Sequence, residues 1–216
     1  MEFILTESEF NEDNTAWNGN RFLMGNGYFG IRGTLEEYTK KQMCAVNMAG
    51  IYDKMGNSWR ESVNAPNPLY TYIKVNGKIY ALPDEKPKFH QQELDFRYGI
   101  HSRVTHWQTE HGNITVVCER FASIARQHNI AMKYTFSVDF DCEAEIITGI
   151  DGDVWDINGP HFVKMKIGSK DGADYVTGMT GEKNISVTVK EYVRTDFQAE
   201  QTNQNTDKSI FRHIKF

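Results

Sequence analysis

The clearest feature of the sequence is a strict alternation of polar and apolar residues in two of its segments. Residues 133–140 (KYTFSVDF) alternate without a fault, and residues 185–190 (ISVTVK) repeat the pattern. A period of two is typical of a β-strand with one buried face. We therefore expect the apolar side chains of the first segment to face one core and its polar side chains to face away: Tyr134, Phe136, Val138 and Phe140 against Lys133, Thr135, Ser137 and Asp139.

Turn sequences join other strand-like segments into hairpins. Asn76-Gly77 separates residues 70–75 from 78–82, and a tight turn there needs a positive φ at both positions. Residues 110–113 (EHGN) separate a second pair, 104–109 and 114–121. Further strand-like runs are 143–150, 162–167, 175–180 and 209–216. Turns every 8 to 12 residues favour an antiparallel sandwich over alternating βαβ units. The pattern predicts one β-rich domain.

Helical signals are sparse. Residues 34–43 (TLEEYTKKQM) are short, with Thr34 at a possible cap position, and they predict about two helical turns. Residues 21–24 resemble a strand, and residues 201–208 (QTNQNTDK) resemble a polar loop.

Composition and charge exclude several classes of protein. The 216 residues are 39% hydrophobic and 25% charged, with a net charge of −5, which argues against nucleic-acid or anionic-membrane binding. No run of apolar residues is long enough to span a membrane, and the acidic N-terminus does not resemble a signal peptide. Cys44, Cys118 and Cys142 form an odd, widely spaced set, typical of a reducing compartment. We therefore expect a cytoplasmic location.

Residues 25–30 (GNGYFG) match the G-x-G-x-x-G pattern of dinucleotide-binding loops. In a dinucleotide site, a helix follows the glycine-rich loop and its N-terminus holds the phosphate. Here Gly33 falls where the first turn of that helix would form, and no βαβ pattern follows the segment. Asp53 lies near the position expected for an acid that binds the ribose of a dinucleotide. A single acidic residue at that spacing is easily accidental. The pattern therefore predicts a structural turn.

Other candidate chemistry has a simpler structural interpretation. His101, His106 and His111 alternate between the two faces of an extended strand, so they cannot converge on one metal ion. The acidic residues around Asp151 lack the remaining ligands of a calcium loop, so they predict a turn. Four charged residues of the strand-like segments are each expected to form a salt bridge: Arg103, Arg120, Glu119 and Asp95. No metal and no cofactor is predicted.

One block of sequence is specific enough to indicate a family. Residues 21–37 (RFLMGNGYFGIRGTLEE) resemble the N-terminal signature of glycoside hydrolase family 65, the maltose, trehalose and kojibiose phosphorylases. Further blocks follow in the family's order at 49–53, 63–66, 75–78, 94–99, 119–123 and 150–161, with Arg103 between two of them. The resemblance covers roughly residues 17 to 165.

The resemblance implies an architecture. Family members have an N-terminal β super-sandwich, linker helices, an (α/α)6 catalytic barrel and a small C-terminal sheet domain. Residues 1–216 would then be the N-terminal domain alone, excised from a longer chain: an all-β, antiparallel two-sheet super-sandwich with few short helices, the fold shared with galactose mutarotases.

The resemblance also implies a function: a non-catalytic domain that supports the catalytic barrel, and contributes to dimerisation, in an inverting disaccharide phosphorylase or a related α-glucoside hydrolase. An inverting phosphorylase uses one carboxylic acid to protonate the glycosidic oxygen while phosphate attacks the opposite face of the sugar. Both groups belong to the barrel, so we expect no catalytic residue in this chain and no activity from it alone. The implied partners are the barrel of the same chain and a second copy in a homodimer, with a disaccharide and inorganic phosphate as substrates of the parent protein.

Seven residues are candidates for contact with substrate or with the barrel: Asn26, Tyr28, Arg32, Glu36, Trp59, Asn64 and His161. Residues 25–37 are expected to form a loop at the end of a sheet that either packs toward the barrel or closes the sandwich edge. Glu36 and Glu37 are expected at an exposed or interdomain position, because burying them without a partner is costly. Two alternatives stay open: a mutarotase-like enzyme that uses His161, and a sugar-binding module that uses Trp59 or Trp155.

Overall fold

The alternating segments form strands in the computed structural model, which describes residues 3–216. The strands of this range are β1 Ile4–Glu7, β2 Met24–Gly25, β3 Phe29–Ile31, β4 Val46–Asp53, β5 Glu61–Asn64, β6 Asn67–Val75, β7 Lys78–Tyr80, β8 Phe89–Asp95, β9 Ile100–Gln108, β10 Asn113–Ala122, β11 Ile130–Val138, β12 Ala144–Asp151, β13 Phe162–Lys170, β14 Ala173–Thr180, β15 Ser186–Glu191, β16 Glu200–Asn205 and β17 Ile210–Lys215. The helical segments are α1 Thr15–Arg21 and two 3₁₀ turns, Glu12–Asn14 and Lys40–Gln42. The prediction of an all-β fold with few short helices is confirmed.

The strands pair in antiparallel fashion within four sheets of the described chain. Sheet I has the order β1-β8-β9-β10-β11, and sheet II has the order β16-β17-β12-β6-β7. Sheet III is β13-β14-β15, and sheet IV is β2-β3-β4-β5. The hydrogen-bonded units are therefore smaller than the two sheets expected from the sequence.

Both hairpins predicted from turn sequences are present. Asn76 and Gly77 have φ values of 49° and 78° and join β6 to β7, as a tight turn between twisted strands requires. Strands β9 and β10 pair from Gln108 opposite Asn113, so the loop between them is residues 109–112. Local turn chemistry thus fixes the register of both pairs.

Strand β11 also follows its sequence pattern. Its side chains alternate between half-buried and exposed from Ile130 to Val138, and the alternation continues through Phe140. Tyr134, Phe136 and Val138 pack on the main core, as predicted.

The main core lies between sheets I and II. Trp107 and Ile114 of sheet I pack with Ile73 and Val75 of sheet II. A second core brings Phe29 of sheet IV into one buried cluster with residues of the other three sheets. A third core lies between sheets II and III.

Three local predictions are wrong. Residues 33–38 are all buried, so the segment 34–43 has no exposed helical face and forms only the 3₁₀ turn Lys40–Gln42. The helix lies earlier, in Thr15–Arg21, where Asn and Gly residues give little helical propensity. Arg21 consequently belongs to α1, and only Met24–Gly25 of the strand expected over 21–24 is extended.

The polar segment 201–208 is the third wrong prediction, because Glu200–Asn205 is strand β16. It pairs with β17 at the edge of sheet II, and all six of its side chains are exposed. An edge strand whose two faces are both exposed to solvent shows no alternation of hydrophobic and polar residues. No helix among residues 3–216 is long and apolar enough to cross a membrane.

Candidate functional site

The structure distributes the seven candidate residues over several places. Asn26 and Tyr28 lie in the β2–β3 connection, and Arg32 and Glu36 lie in the segment that follows β3. The other three lie around the β4–β5 hairpin and the loop before β13.

Glu36 belongs to a buried ionic group that we call the arginine cluster: Glu36, Glu37, Arg103 and Arg120. Arg103 Nε lies 2.7 Å from Glu36 Oε2, and Arg103 Nη2 lies 2.5 Å from Glu37 Oε2. Arg120 Nη1 lies 3.0 Å from Glu36 Oε1, and its Nη2 donates to the Thr34 carbonyl. The prediction of salt bridges is confirmed for the two arginines. It is wrong for the other two residues within the described range 3–216, where Asp95 accepts the backbone N–H of Arg97 and Glu119 is exposed without an ionic partner.

The exposed or interdomain position expected for Glu36 and Glu37 is wrong, because both are buried inside this domain, Glu36 with only 1% of its surface exposed. Burial alone would raise the pKa of Glu36, but the charges of Arg103 and Arg120 hold it at about 2. Burial, opposed by Arg103 and assisted by the negative charge of Glu36, raises the pKa of Glu37. The two arginines, from neighbouring strands β9 and β10, are the partners that make this burial possible.

His161 lies at the centre of a second buried group, the histidine cluster: Asp53, Glu61, Asp156 and His161. His161 Nε2 lies 2.8 Å from Glu61 Oε1, and its Nδ1 lies 3.3 Å from Asp53 Oδ2. The His161 side chain has no exposed surface. Glu61 Oε1 also accepts hydrogen bonds from the backbone N–H groups of Ile157 and Asn158, at 3.0 and 2.9 Å. The cluster therefore fastens the loop before β13 to the β4–β5 hairpin.

The surroundings of His161 favour its charged form. Burial works to lower its pKa, but the hydrogen bond that it donates to Glu61, the negative charge of Asp156 and the contact with Asp53 together raise it. Burial raises the pKa of Asp156, and the charges of Glu61 and Asp53 act in the same direction while His161 opposes them. An imidazolium that donates from both nitrogens satisfies two of the three carboxylates.

Glu61, Asp156 and His161 could in principle hold a metal ion, since one ligand atom of each lies within 4.8 Å of the others. The donor set does not fit that use. His161 Nε2 and Glu61 Oε1 are at hydrogen-bonding distance from each other, and Glu61 Oε1 already accepts two backbone N–H groups. This arrangement holds a proton between the imidazole and the carboxylate.

Asn64 fastens the start of the same loop. Its Nδ2 donates to the carbonyls of Cys44 and Trp155, at 3.0 and 3.1 Å, and its Oδ1 accepts from the Val46 N–H at 2.8 Å. Asp153, two residues before Trp155, forms salt bridges with lysines of two other segments. The structure thus brings Asn64 and His161 to the two ends of one loop, residues 152–161.

Asn26 and Tyr28 occupy a tight turn. Asn26 Nδ2 donates to the carbonyls of Ser123 and Gln127, at 2.7 and 2.9 Å, while its Oδ1 accepts from the backbone of Tyr28. The Tyr28 ring packs 4.2 Å from the ring of His128. The glycine-rich segment therefore joins two antiparallel strands, β2 and β3, and the prediction of a structural turn is confirmed.

Arg32 makes its contacts inside the domain. Its Nη2 donates to the carbonyl of Ala16 at 2.7 Å, and its Nη1 donates to that of Met43 at 3.1 Å. The guanidinium lies against Gly19, where an added Cβ would come within 2.9 Å of it. Arg32 thus connects α1 to the segment after β3.

Trp59 differs from the other candidates because 64% of its surface is exposed. It lies in the β4–β5 turn with Met55, which is also exposed. Ile157 and Val163, on either side of His161 in the chain, are exposed as well. These four apolar side chains belong to segments that meet at the histidine cluster, and we call them the Trp59 surface.

A cavity between the sheets was not predicted from the sequence. It has a volume of about 800 Å³, and each of the four sheets contributes to its walls. Glu191, the last residue of β15, lines it. The alternating pattern of residues 185–190 stops one position short of Glu191, so only the fold reveals that this side chain is half-buried with one carboxyl oxygen inaccessible to solvent.

Comparison with known proteins adds a family to this geometry. The family described as "Glycosyl hydrolase family 65, N-terminal domain" matches residues 5–216. The nigerose phosphorylase of Lachnoclostridium phytofermentans is 51% identical over 166 residues, which are 77% of this chain and 22% of that protein. The 1,2-alpha-glucosylglycerol phosphorylase of Bacillus selenitireducens is 37% identical over 193 residues, 88% of this chain and 25% of that protein.

A solved structure described as a "Putative kojibiose phosphorylase from human microbiome" has the same fold. It superimposes with a TM-score of 0.87 over 99% of this chain and 30% of its own, at 19% identity. That likeness shows the fold alone. The chain spans about a quarter of the length of the relatives it matches.

Proposed function

Because the chain belongs to the N-terminal domain family of glycosyl hydrolase family 65, we propose that it is a non-catalytic domain supporting the catalytic barrel of a disaccharide phosphorylase. One observation carries the proposal: the match spans nearly all of this chain but only 22% and 25% of two relatives that are named as phosphorylases. Residues 1–216 are then one excised domain, and the chemistry lies in the part of the parent protein beyond it.

The proposed parent acts on an α-glucosidic disaccharide and inorganic phosphate, in the cytoplasm, as a homodimer. The relatives named above favour phosphorolysis over hydrolysis. The four sheets would be the two layers of a super-sandwich, a grouping supported by the main core, where sheets I and II pack face to face.

The Trp59 surface is the proposed contact with the barrel. Exposed apolar side chains grouped in one region mark an interaction site. The four side chains lie in segments that the histidine cluster joins, and Glu61 accepts the backbone N–H of Ile157, so part of this surface is held in place before any partner binds. Of the seven candidates, Trp59 would touch the barrel directly, whereas Arg32, Glu36, Asn64 and His161 position the surrounding segments.

The activity proposal is tested by measuring glucose 1-phosphate release from nigerose, kojibiose, maltose and trehalose with inorganic phosphate. We expect release by the full-length parent protein and none by the 216-residue chain. Turnover by the 216-residue chain, or no turnover of any α-glucoside by the parent protein, would contradict the proposal.

The contact surface is tested with Trp59→Ala in the full-length protein. We expect reduced activity, with the melting temperature of the isolated domain unchanged, because an exposed side chain contributes little to domain stability. Tyr98→Ala is the matched control, since Tyr98 is 69% exposed but lies in the β8–β9 turn, outside the Trp59 surface. Equal activity of the two variants would place the barrel elsewhere.

A mutarotase-like activity is the weaker candidate. His161 would have to exchange a proton with a sugar, but its ring is buried and both of its nitrogens contact carboxylates. Polarimetry of freshly dissolved α-D-glucose and α-D-galactose with the 216-residue chain tests it. We expect the rotation to change at the uncatalysed rate.

A further inference from the structure

The cavity between the sheets has the size of a small-molecule site. Its volume of about 800 Å³ lies within the range of roughly 300–1,000 Å³ typical of such sites. Much of the wall is apolar, with Phe29, Met48, Met132 and Ile146 among the lining residues. The irregular segment 192–197, which follows β15, forms another wall.

A line of polar groups crosses one wall of this cavity. The hydroxyls of Thr71 and Thr148 lie 2.8 Å apart, and Thr148 donates to Glu191 Oε1 at 2.9 Å. The other carboxyl oxygen, Oε2, is buried and has no hydrogen-bond partner among the described residues. Burial raises the pKa of Glu191 to about 7, although Thr148 and Arg212 oppose this.

An unpaired carboxyl oxygen at this depth is costly, and natural proteins pair nearly all such groups. The torsion χ3 that orients a carboxyl group is soft. Because Glu191 lines the cavity, a modest rotation about χ3 would turn Oε2 toward a ligand there while Oε1 keeps its contact with Thr148.

The charges of the lining do not select an ionic ligand. Lys190 and Arg194 carry positive charge, and Asp196 and ionised Glu191 balance them. Tyr28 and Tyr134 add rings with an apolar face and a polar edge. Such a wall suits a ring that has C–H groups on its faces and hydroxyl groups around its rim.

We propose that this cavity binds a neutral polyhydroxylated ligand, a mono- or disaccharide, through a hydroxyl group that hydrogen-bonds to Glu191. The site is distinct from the Trp59 surface and needs no residue of a catalytic barrel. Of the sequence candidates, Tyr28 belongs to this site. The proposal stands whether or not the parent protein is a phosphorylase, because it concerns this chain alone.

Binding is tested with the 216-residue chain by isothermal titration and by amide chemical-shift mapping, using D-glucose and nigerose as probes and glycerol as the reference. We expect saturable binding of at least one sugar, with shifts at Thr71, Thr148 and Glu191 and none along β16. No saturable binding of either sugar, or shifts confined to the Trp59 surface, would overturn the proposal.

Glu191→Leu removes the carboxyl group and should weaken sugar binding at least tenfold. Removing an unpaired buried acid leaves the melting temperature unchanged or higher, so loss of binding would not reflect unfolding. Glu200→Leu, at an exposed position of β16, is the matched control and should bind like the unmodified chain. Equal affinities for the two variants would overturn the proposal, and the shift map of the unmodified chain decides the matter if Glu191→Leu does not fold.

Discussion

The arginine cluster and the histidine cluster are both buried and ionic, but their charges are balanced differently. The arginine cluster sets two carboxylates against two guanidinium groups, which stay protonated at any pH that the fold survives. The histidine cluster sets three carboxylates against one imidazole, whose charge depends on pH. The ion pairs of the arginine cluster therefore persist at every pH at which the protein is folded. Those of the histidine cluster depend on the protonation of His161.

The two clusters also differ in what they hold. The arginine cluster connects the segment after β3 to the middle of sheet I, where no side chain can move without disturbing the main core. The histidine cluster holds a loop through backbone N–H groups, and the loop lies at the edge of the domain. We therefore expect large effects on global stability from the first cluster and smaller, more local effects from the second.

Arg103→Ala tests the arginine cluster and should have the largest effect. It leaves Glu36 and Glu37 buried with one arginine between them, and breaking a buried ion pair in this way costs about 3–5 kcal/mol. Urea denaturation measures the loss in the free energy of unfolding. Arg126→Ala, at an exposed arginine, should change it by less than about 0.5 kcal/mol. A similar small change for both variants would show that the cluster contributes nothing.

Glu61→Ala tests the histidine cluster and should cost less, about 2 kcal/mol, since it removes hydrogen bonds to a charged acceptor near the surface. We expect the amides of Ile157 and Asn158 to exchange with solvent faster while the core amides stay protected. Hydrogen exchange followed by NMR measures this. Glu182→Ala removes an exposed salt bridge with Arg60 and serves as control. Uniformly faster exchange across all sheets would contradict a local role.

Arg32→Ala should cost about 1 kcal/mol, the typical contribution of a hydrogen bond, because the carbonyls of Ala16 and Met43 each lose a donor. Thermal unfolding of the 216-residue chain measures it, again with Arg126→Ala as the control. An unchanged melting temperature, together with lost activity in the full-length protein, would instead make Arg32 an interdomain contact.

The smallest effect is expected from pH. The folded pKa of His161 is raised by Glu61, Asp156 and Asp53 against the effect of burial, so its contribution to stability is complete below the unfolded value of about 6.5. The contribution is lost as the pH rises through the folded pKa. The difference in melting temperature between the native chain and His161→Gln should shrink from pH 6 to pH 9, whereas the penalty of Arg103→Ala should stay constant. A His161→Gln difference that grows with pH would contradict this assignment.

Features encoded by neighbouring residues were predictable from the sequence. The turn at Asn76-Gly77 depends on two backbone conformations, and β11 depends on a side-chain period, so both follow from short segments. The helix over 34–43 was wrong because burial of six consecutive residues is decided by packing against distant strands. Strand β16 was missed because its hydrogen bonds to β17, not its side chains, keep it extended.

In the candidate site, too, single residues were predictable from the sequence and their partners were not. The block 150–161, which resembles the family, pointed to His161, but its partners Glu61 and Asp53 lie 100 and 108 residues earlier in the chain. Glu36 was identified, but its burial depends on Arg103, which is 67 positions away. Such pairs are set by the register of sheets, which a single sequence does not display.

The position of β17 in sheet II has a consequence for biosynthesis. This strand, Ile210–Lys215, lies between β16 and β12 and supplies the second neighbour of β12. A ribosome delivers β12 long before β17, so one edge of β12 keeps unpaired N–H and C=O groups while the intervening strands emerge. Unpaired edges recruit other chains. The nascent domain is therefore especially vulnerable to association just before β17 arrives, which is when a chaperone that binds exposed strands would protect it best.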